Sequence, residues 1–242
     1  LRINNSSGNV SVTSGNLTIS NILTMSSGNL AIGSNTLTIN GTVASMSASN
    51  ALTGSATSNL TIGGSGSLGT LYFDQTTSGT SNNLNNFTVN RATSGNAGIG
   101  NDVTVGGTLT MTNGVVQTNG FGSKVIIKSS GSVTRTNGYV WGDLQKNVAT
   151  GATSRTFEIG DNSNYTPVSI SFGSVTTAGD LMMSTTPTLS THPNISTVNM
   201  NTSSAINRYW TMTNMNTLVF TNYSAVFNFR NPGDLLGSPS TS

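Results

Sequence analysis

The 242-residue chain has no cysteine, one histidine (His192) and only 7% charged side chains. Without cysteine there is no disulfide or thiolate chemistry. Without a second histidine, nucleophile–base pairs and zinc sites lose their commonest partner. Asp74 and Asp102 are the only acids in residues 1–138. That is too few for the clustered carboxylates of enzymatic β-helices. Nine Lys or Arg against seven Asp or Glu leave a net charge of +2, spread too thinly for a nucleic-acid-binding stripe. There is no phosphate loop, and no apolar run approaches the roughly 18 residues of a membrane span. These absences point away from an enzyme.

Low charge with abundant Ser, Thr, Asn and Gly would suit disorder if the apolar residues lacked a period. They have one. SGNVSVTSGNLTISNILTM, beginning at Ser7, superimposes on SGNLAIGSNTLTINGTVAS, beginning at Ser27. Val10 falls on Leu30, Leu17 on Leu37, Ile19 on Ile39 and Leu23 on Val43. Self-similarity at such a period marks a solenoid, whose units bury their apolar faces only by stacking. Triplets such as Leu17-Thr18-Ile19 alternate with period two, as strands do. Turn formers separate them, with Gly supplying positive φ and Asn tolerating it. Three strands and three corners per 20 residues predict a right-handed parallel β-helix.

Further triplets at Leu60-Thr61-Ile62, Leu71-Tyr72-Phe73, Phe87-Thr88-Val89, Val103-Thr104-Val105, Leu109-Thr110-Met111 and Val125-Ile126-Ile127 extend the solenoid over residues 1–138, roughly seven coils at about 4.8 Å each. The tracts Gln75 to Asn86 and Thr93 to Gly100 read as bulging corners. From Tyr139 onward aromatics become frequent and strands lengthen. Residues 139–236 therefore read as an antiparallel β-sandwich-like region or, alternatively, as a cap on a continuing solenoid. Residues 237–242 read as a Ser/Pro tail. Because the chain begins within the repeat, it reads as a mature product or part of something longer.

Several segments resemble secreted repeat proteins of the Bacteroidota. They are the run from Thr36 to Val43, Leu52 to Gly64, Val133 to Val140 with Gly142 to Lys146, Phe157 to Asp161 with Tyr165 to Val168, and Asn207 to Thr211. The resemblance implies an adhesin-like extracellular or cell-surface protein exported by the type IX secretion route. It supplies no catalytic or cofactor residues. Partners in keeping with it are other surface proteins, glycans or further copies of the chain, without nucleic acid and without a membrane span in this chain.

The residues offer a few candidate sites. Asp161, Asn162 and Asn164, with Asp180 further on, are weak oxygen ligands for calcium, and ordinary Asx-turns are the alternative. Otherwise no metal or cofactor is expected. Tyr139, Trp141, Tyr165, Tyr209 and Trp210 are candidate stacking platforms for carbohydrate, or else sandwich-core residues. His192 sits in a turn-like Thr-His-Pro. Outward threonines raise ice binding, although Asn16, Ala31 and Ser11 at apparently equivalent positions interrupt a lattice. Sequons, nine of them between Asn9 and Asn222, would admit glycosylation in a secreted protein. The leading expectation is a structural or adhesive surface protein, a stalk or fibre segment. If Leu37 points inward, Leu37→Asp buries an unpaired charge and collapses the neighbouring coils, lowering the melting temperature and the β circular-dichroism signal. Thr38→Ser should change neither.

Overall fold

The computed structural model describes residues 1–92, 95–197 and 201–237. Strands dominate, and they wind as a parallel β-solenoid of about seven turns of about 22 residues, joined by antiparallel sheets. Each turn contributes a strand to three faces. Face 1 runs from Arg2–Asn4 through Ile22–Ser27 and Thr42–Ala44 to Tyr139–Trp141 and Ile159–Gly160. Face 2 begins at Val10–Ser11 and reaches Lys124–Ile127 and Asp143–Val148. Face 3 is an unbroken six-strand parallel sheet of Leu17–Ile19, Thr36–Ile39, Asn59–Ile62, Asn86–Asn90, Thr108–Asn113 and Ser132–Arg135.

The pairing is the one the repeat predicts. Val10 pairs with Leu30, Leu17 with Leu37, Ile19 with Ile39, Leu23 with Val43 and Val103 with Val125. Because strands alternate, one residue of each pair of neighbours points inward. Leu37, Leu60, Phe87 and Leu109 therefore stack in one buried column, and Ile39, Ile62, Val89 and Met111 in another. Corners pass close together: a Cβ on Gly41 would lie 1.4 Å from the Asn21 carbonyl oxygen, so the Asn40-Gly41 corner requires glycine.

Insertions lie at corners. Of the Gln75 to Asn86 tract, Asn83–Leu84 is a face 2 strand and Asn86 opens a face 3 strand, whereas residues 75–82 form such a corner. There, Asp74 accepts from the Thr76 backbone and hydroxyl and from Thr53. Burial pushes its carboxyl up, but these hydrogen bonds outweigh burial and hold it below its ordinary range. The second tract corrects the sequence reading. Thr93 and Ser94 lie outside the described residues, and Asn96–Ile99 is a face 1 strand rather than a bulge. Only Ala97 and Ile99 are apolar there, so the tract carries too little hydrophobic pattern to read as a strand.

The parallel columns do not stop at residue 138. Val116 pairs with Val140, Val140 with Ile159 and Ile127 with Lys146. Asp143–Val148 then pairs antiparallel with Gly179–Thr186, which pairs with Tyr209–Asn214. A second antiparallel sheet joins Gly151–Phe157, Val168–Thr177, Val219–Phe220 and Tyr223–Phe227. One hydrophobic cluster extends from Ile3 to Leu218, so the antiparallel sheets share the solenoid's core and sheathe its edge. Of the tail expected over 237–242, residues 238–242 lie outside the described residues. The described residues include no helix long and apolar enough to cross a membrane.

Arg91 is 1% exposed, yet no salt bridge reaches it among the described residues. Its guanidinium donates instead to corner carbonyls of Gly41 (2.9 Å), Gly63, Ser65 (2.8 Å) and Gly66 (2.6 Å), riveting successive coils. Desolvation lowers its pKa. Arg91→Met should strand several buried carbonyls and cost about 3 kcal/mol or more. A sharply lowered melting temperature checks this, and Arg91→Lys should rescue little because one ammonium cannot span the same acceptors.

Candidate functional site

The register of face 3 aligns one outward residue from each of its six strands. Thr18 pairs with Thr38, Thr38 with Thr61, Thr61 with Thr88, Thr88 with Thr110 and Thr110 with Thr134. The column is threonine throughout, exposed at its ends and half-buried between. Rungs are about 4.8 Å apart, and the next outward column along each strand lies about 6.6 Å away. That flanking column includes Thr36, Asn59, Asn86, Thr108 and Ser132, tied by Asn86 donating to Asn59 (2.9 Å) and by the Thr108–Ser132 hydroxyls (3.1 Å). On the other side Asn113 donates to Asn90 (3.0 Å) and Asn137 to Asn113 (3.1 Å). Amide ladders thus brace a flat hydroxyl face.

This alignment corrects the argument that Asn16, Ala31 and Ser11 break the array. Ser11 and Ala31 pair with each other on face 2, and Asn16 uses its Oδ1 to accept the Thr36 N–H (2.9 Å) beside the column. The signal was present in the sequence as a recurring apolar-Thr-apolar triplet. Only the pairing separates the face 3 threonines from Thr104, which is buried on face 2.

The five candidate aromatics do not form one platform, and two of them belong to the packed interior, Tyr139 as a buried residue and Trp210 as a half-buried one against the hydrophobic cluster. Tyr139 is buried and packs against Tyr165 at 5.9 Å. The Arg135 guanidinium lies 3.5 Å over the Tyr165 ring, a cation–π contact. Burial, reinforced by the Asp161 charge, pushes the Tyr139 phenol up to about 12 despite Arg135. Trp141 lines a polar cleft with Asn119, Asn162, Asn207 and Arg230. Tyr209 and Trp210 line a separate apolar groove with Leu189, Ile206, Phe227 and Phe229.

Asp161, the strongest of the calcium candidates, already has its partners. Its Oδ1 accepts the Ser163 and Asn164 N–H groups (2.8 and 2.9 Å), forming an Asx-turn, and its Oδ2 accepts from Arg208 (2.6 Å). A cation there would face the buried guanidinium. Asn164 donates to the same carboxylate and Asn162 is exposed beside it. Asp180 accepts amides from Gln145, Asn147 and Asn216. No group of three or more His, Cys, Asp or Glu positioned to hold a metal occurs among the described residues. Asp74 and Asp102 have separate partners, the latter Lys124 at 2.6 Å. The His192 ring meets the Tyr209 ring edge-on at 4.8 Å, and its Nδ1 accepts the Asn194 N–H.

The sequence reading did not single out Arg208, Arg230 or Asp234. Arg208 donates to Asp161, to Asp234 (2.8 Å) and to Thr185 (3.2 Å) in a buried network. Burial alone would lower the Arg208 pKa and raise that of Asp234. Their mutual hydrogen bonds and charges reverse both directions. Spacings of 47 and 26 residues gave no local motif to read.

Tyr139 gives a pH prediction. Its folded pKa lies above the ordinary 10, so its contribution to stability is full below pH 10 and is lost as pH rises towards about 12. Burial raises the Tyr165 phenol too, so an ultraviolet titration of phenolate should show late ionisation from both residues, and Tyr139→Phe should remove the component near pH 12. No protein-family model, curated protein or solved structure matches the chain.

Proposed function

We propose that this chain is a non-catalytic structural and adhesive protein of the bacterial cell surface, a stiff stalk or fibre segment that works through face 3. The observation that carries the reading is the six-rung threonine column with its amide-braced flanks. A flat, nearly uncharged lattice of hydroxyls and amides makes many weak, equivalent hydrogen bonds to another polar surface, so attachment grows with the number of rungs engaged. Backbone hydrogen bonds along the coil axis suit such a protein to bearing load. The resemblance to secreted Bacteroidota repeat proteins favours export by the type IX route, with surface glycans, surface proteins or further copies of the chain as partners.

The same column favours ice binding as a second reading, since a rigid grid of hydroxyls on a β-helix can order water at a crystal face. Thr61→Lys with Thr88→Lys places two charges at mid-column on half-buried outward positions, where each long side chain carries its ammonium into solvent and stability should change little. Under the adhesive reading, beads coated with the variant detach from polysaccharide-coated or bacterial surfaces at much lower shear than wild type. Unchanged detachment, with folding verified by circular dichroism, would sink it. Under the ice reading wild type shows thermal hysteresis and inhibits recrystallisation, and the variant does neither.

A further inference from the structure

Two clefts hold the two tryptophans, and their chemistry differs. The groove at Trp210 is about 530 Å³ and walled mainly by Leu189, Ile206, Phe227 and Phe229. The cleft at Trp141 is about 390 Å³ and lies at the seam where the last coil meets the antiparallel strands. Its floor is the buried Arg208 network, in which the guanidinium meets Asp161 at 2.6 Å and Asp234 at 2.8 Å. Arg230 stands at the rim. Its backbone N–H donates to Asp234 (2.8 Å), while its side chain is exposed. Two arginines against two aspartates leave the cleft electrically balanced, so neither an anion nor a cation is favoured.

The walls supply hydrogen bonds of both polarities. Asn207 lines the cleft and accepts the Leu189 N–H through Oδ1 (2.9 Å), so its amide N–H groups are not used in that bond. Asn162 is exposed on the turn that Asp161 holds rigid. Trp141 is half-buried and projects outward from face 1, in a column where Gln117 precedes it and Gly160 follows. No side chain from that glycine rises beside the indole.

We infer that this cleft is a binding site for a neutral pyranose glycan, with Trp141 as the stacking plate and Asn162 and Asn207 as hydroxyl-reading amides. A sugar ring presents one apolar C–H face and a rim of hydroxyls that both donate and accept. An aromatic plate with side-chain amides on a rigid, charge-balanced floor complements both features. The assignment selects Trp141 over Trp210, which the sequence ranks alike. It goes beyond the adhesive reading of face 3 and does not depend on it.

The chain has two tryptophans, so Trp210→Phe leaves Trp141 as the only indole reporter. This variant is titrated with cellopentaose, xylopentaose, mannopentaose and laminaripentaose while tryptophan emission is followed. At least one sugar should produce a saturable change, and Asn162→Ala in the same background should weaken it at least tenfold with an unaltered melting temperature. Asn162 is exposed, so its loss does not threaten the fold. No saturable response to any of the four sugars overturns the assignment. So does a response that persists undiminished in Asn162→Ala, or one carried by Trp210 in a Trp141→Phe protein. Thr61→Lys with Thr88→Lys should leave the titration unchanged, which separates failure of this site from failure of the face 3 reading.

Discussion

Everything in this molecule follows from the demand that backbone hydrogen bonds between successive coils run along the axis in register. A strand in one coil must lie directly over the strand before it, so each residue meets the same kind of residue above and below. Inward positions become aliphatic columns such as Leu37, Leu60, Phe87 and Leu109. Outward positions become ladders, of threonine in the middle of face 3 and of asparagine at Asn90, Asn113 and Asn137. Whatever breaks the spacing is forced into corners, where the loop over residues 75–82 is anchored by Asp74. The contact face is thus a by-product of the same constraint that makes the rod.

Charge is scarce, and the buried charges stand where that repeating geometry is interrupted. Arg91 ties its own corner to the corner carbonyls of the two preceding coils. Lys146, paired with Glu158 at 2.5 Å and donating to the Thr156 carbonyl, sits on the strand that is parallel on one edge and antiparallel on the other. Desolvation lowers its pKa, against the pull of Glu158. Arg208 links the turn after the last face 1 strand to the C-terminal turn at Asp234. A buried ion pair adds little net stability compared with an apolar contact, but breaking one leaves a costly unpaired charge. Such groups therefore specify how the joint is assembled, and the rigid floor they make at the seam is what gives the Trp141 cleft its shape.

Much of the coil was legible in the primary structure. The shift of 20 residues between Leu17 and Leu37 is the observed pairing, and so is the step from Val103 to Val125. The strand at Asn96–Ile99 was missed because its glycine and asparagine carry no apolar alternation. Where the parallel columns end was open between two readings in the sequence, because Tyr139 and Trp141, outward residues of face 1, resemble the start of a different architecture. Of the candidate sites, the individual residues Trp141 and Asp161 were visible. Their neighbours Arg208 and Asp234 were not, since the contacts span tens of residues.

By itself, the sequence determined the local period, the inward aliphatic positions, the turn-forming corners and the shortage of reactive groups. All of these depend on neighbours a few residues apart or one repeat away. Only the tertiary structure decided which threonines share a face, because residues that look equivalent in the repeat, such as Thr38 and Thr104, are sorted by the face their strand joins. Only the tertiary structure, too, separated the two tryptophans into a polar and an apolar cleft. The reason is the same in both cases. A column or a cleft is made by side chains from different coils, and the number of residues in each intervening corner sets which of them meet.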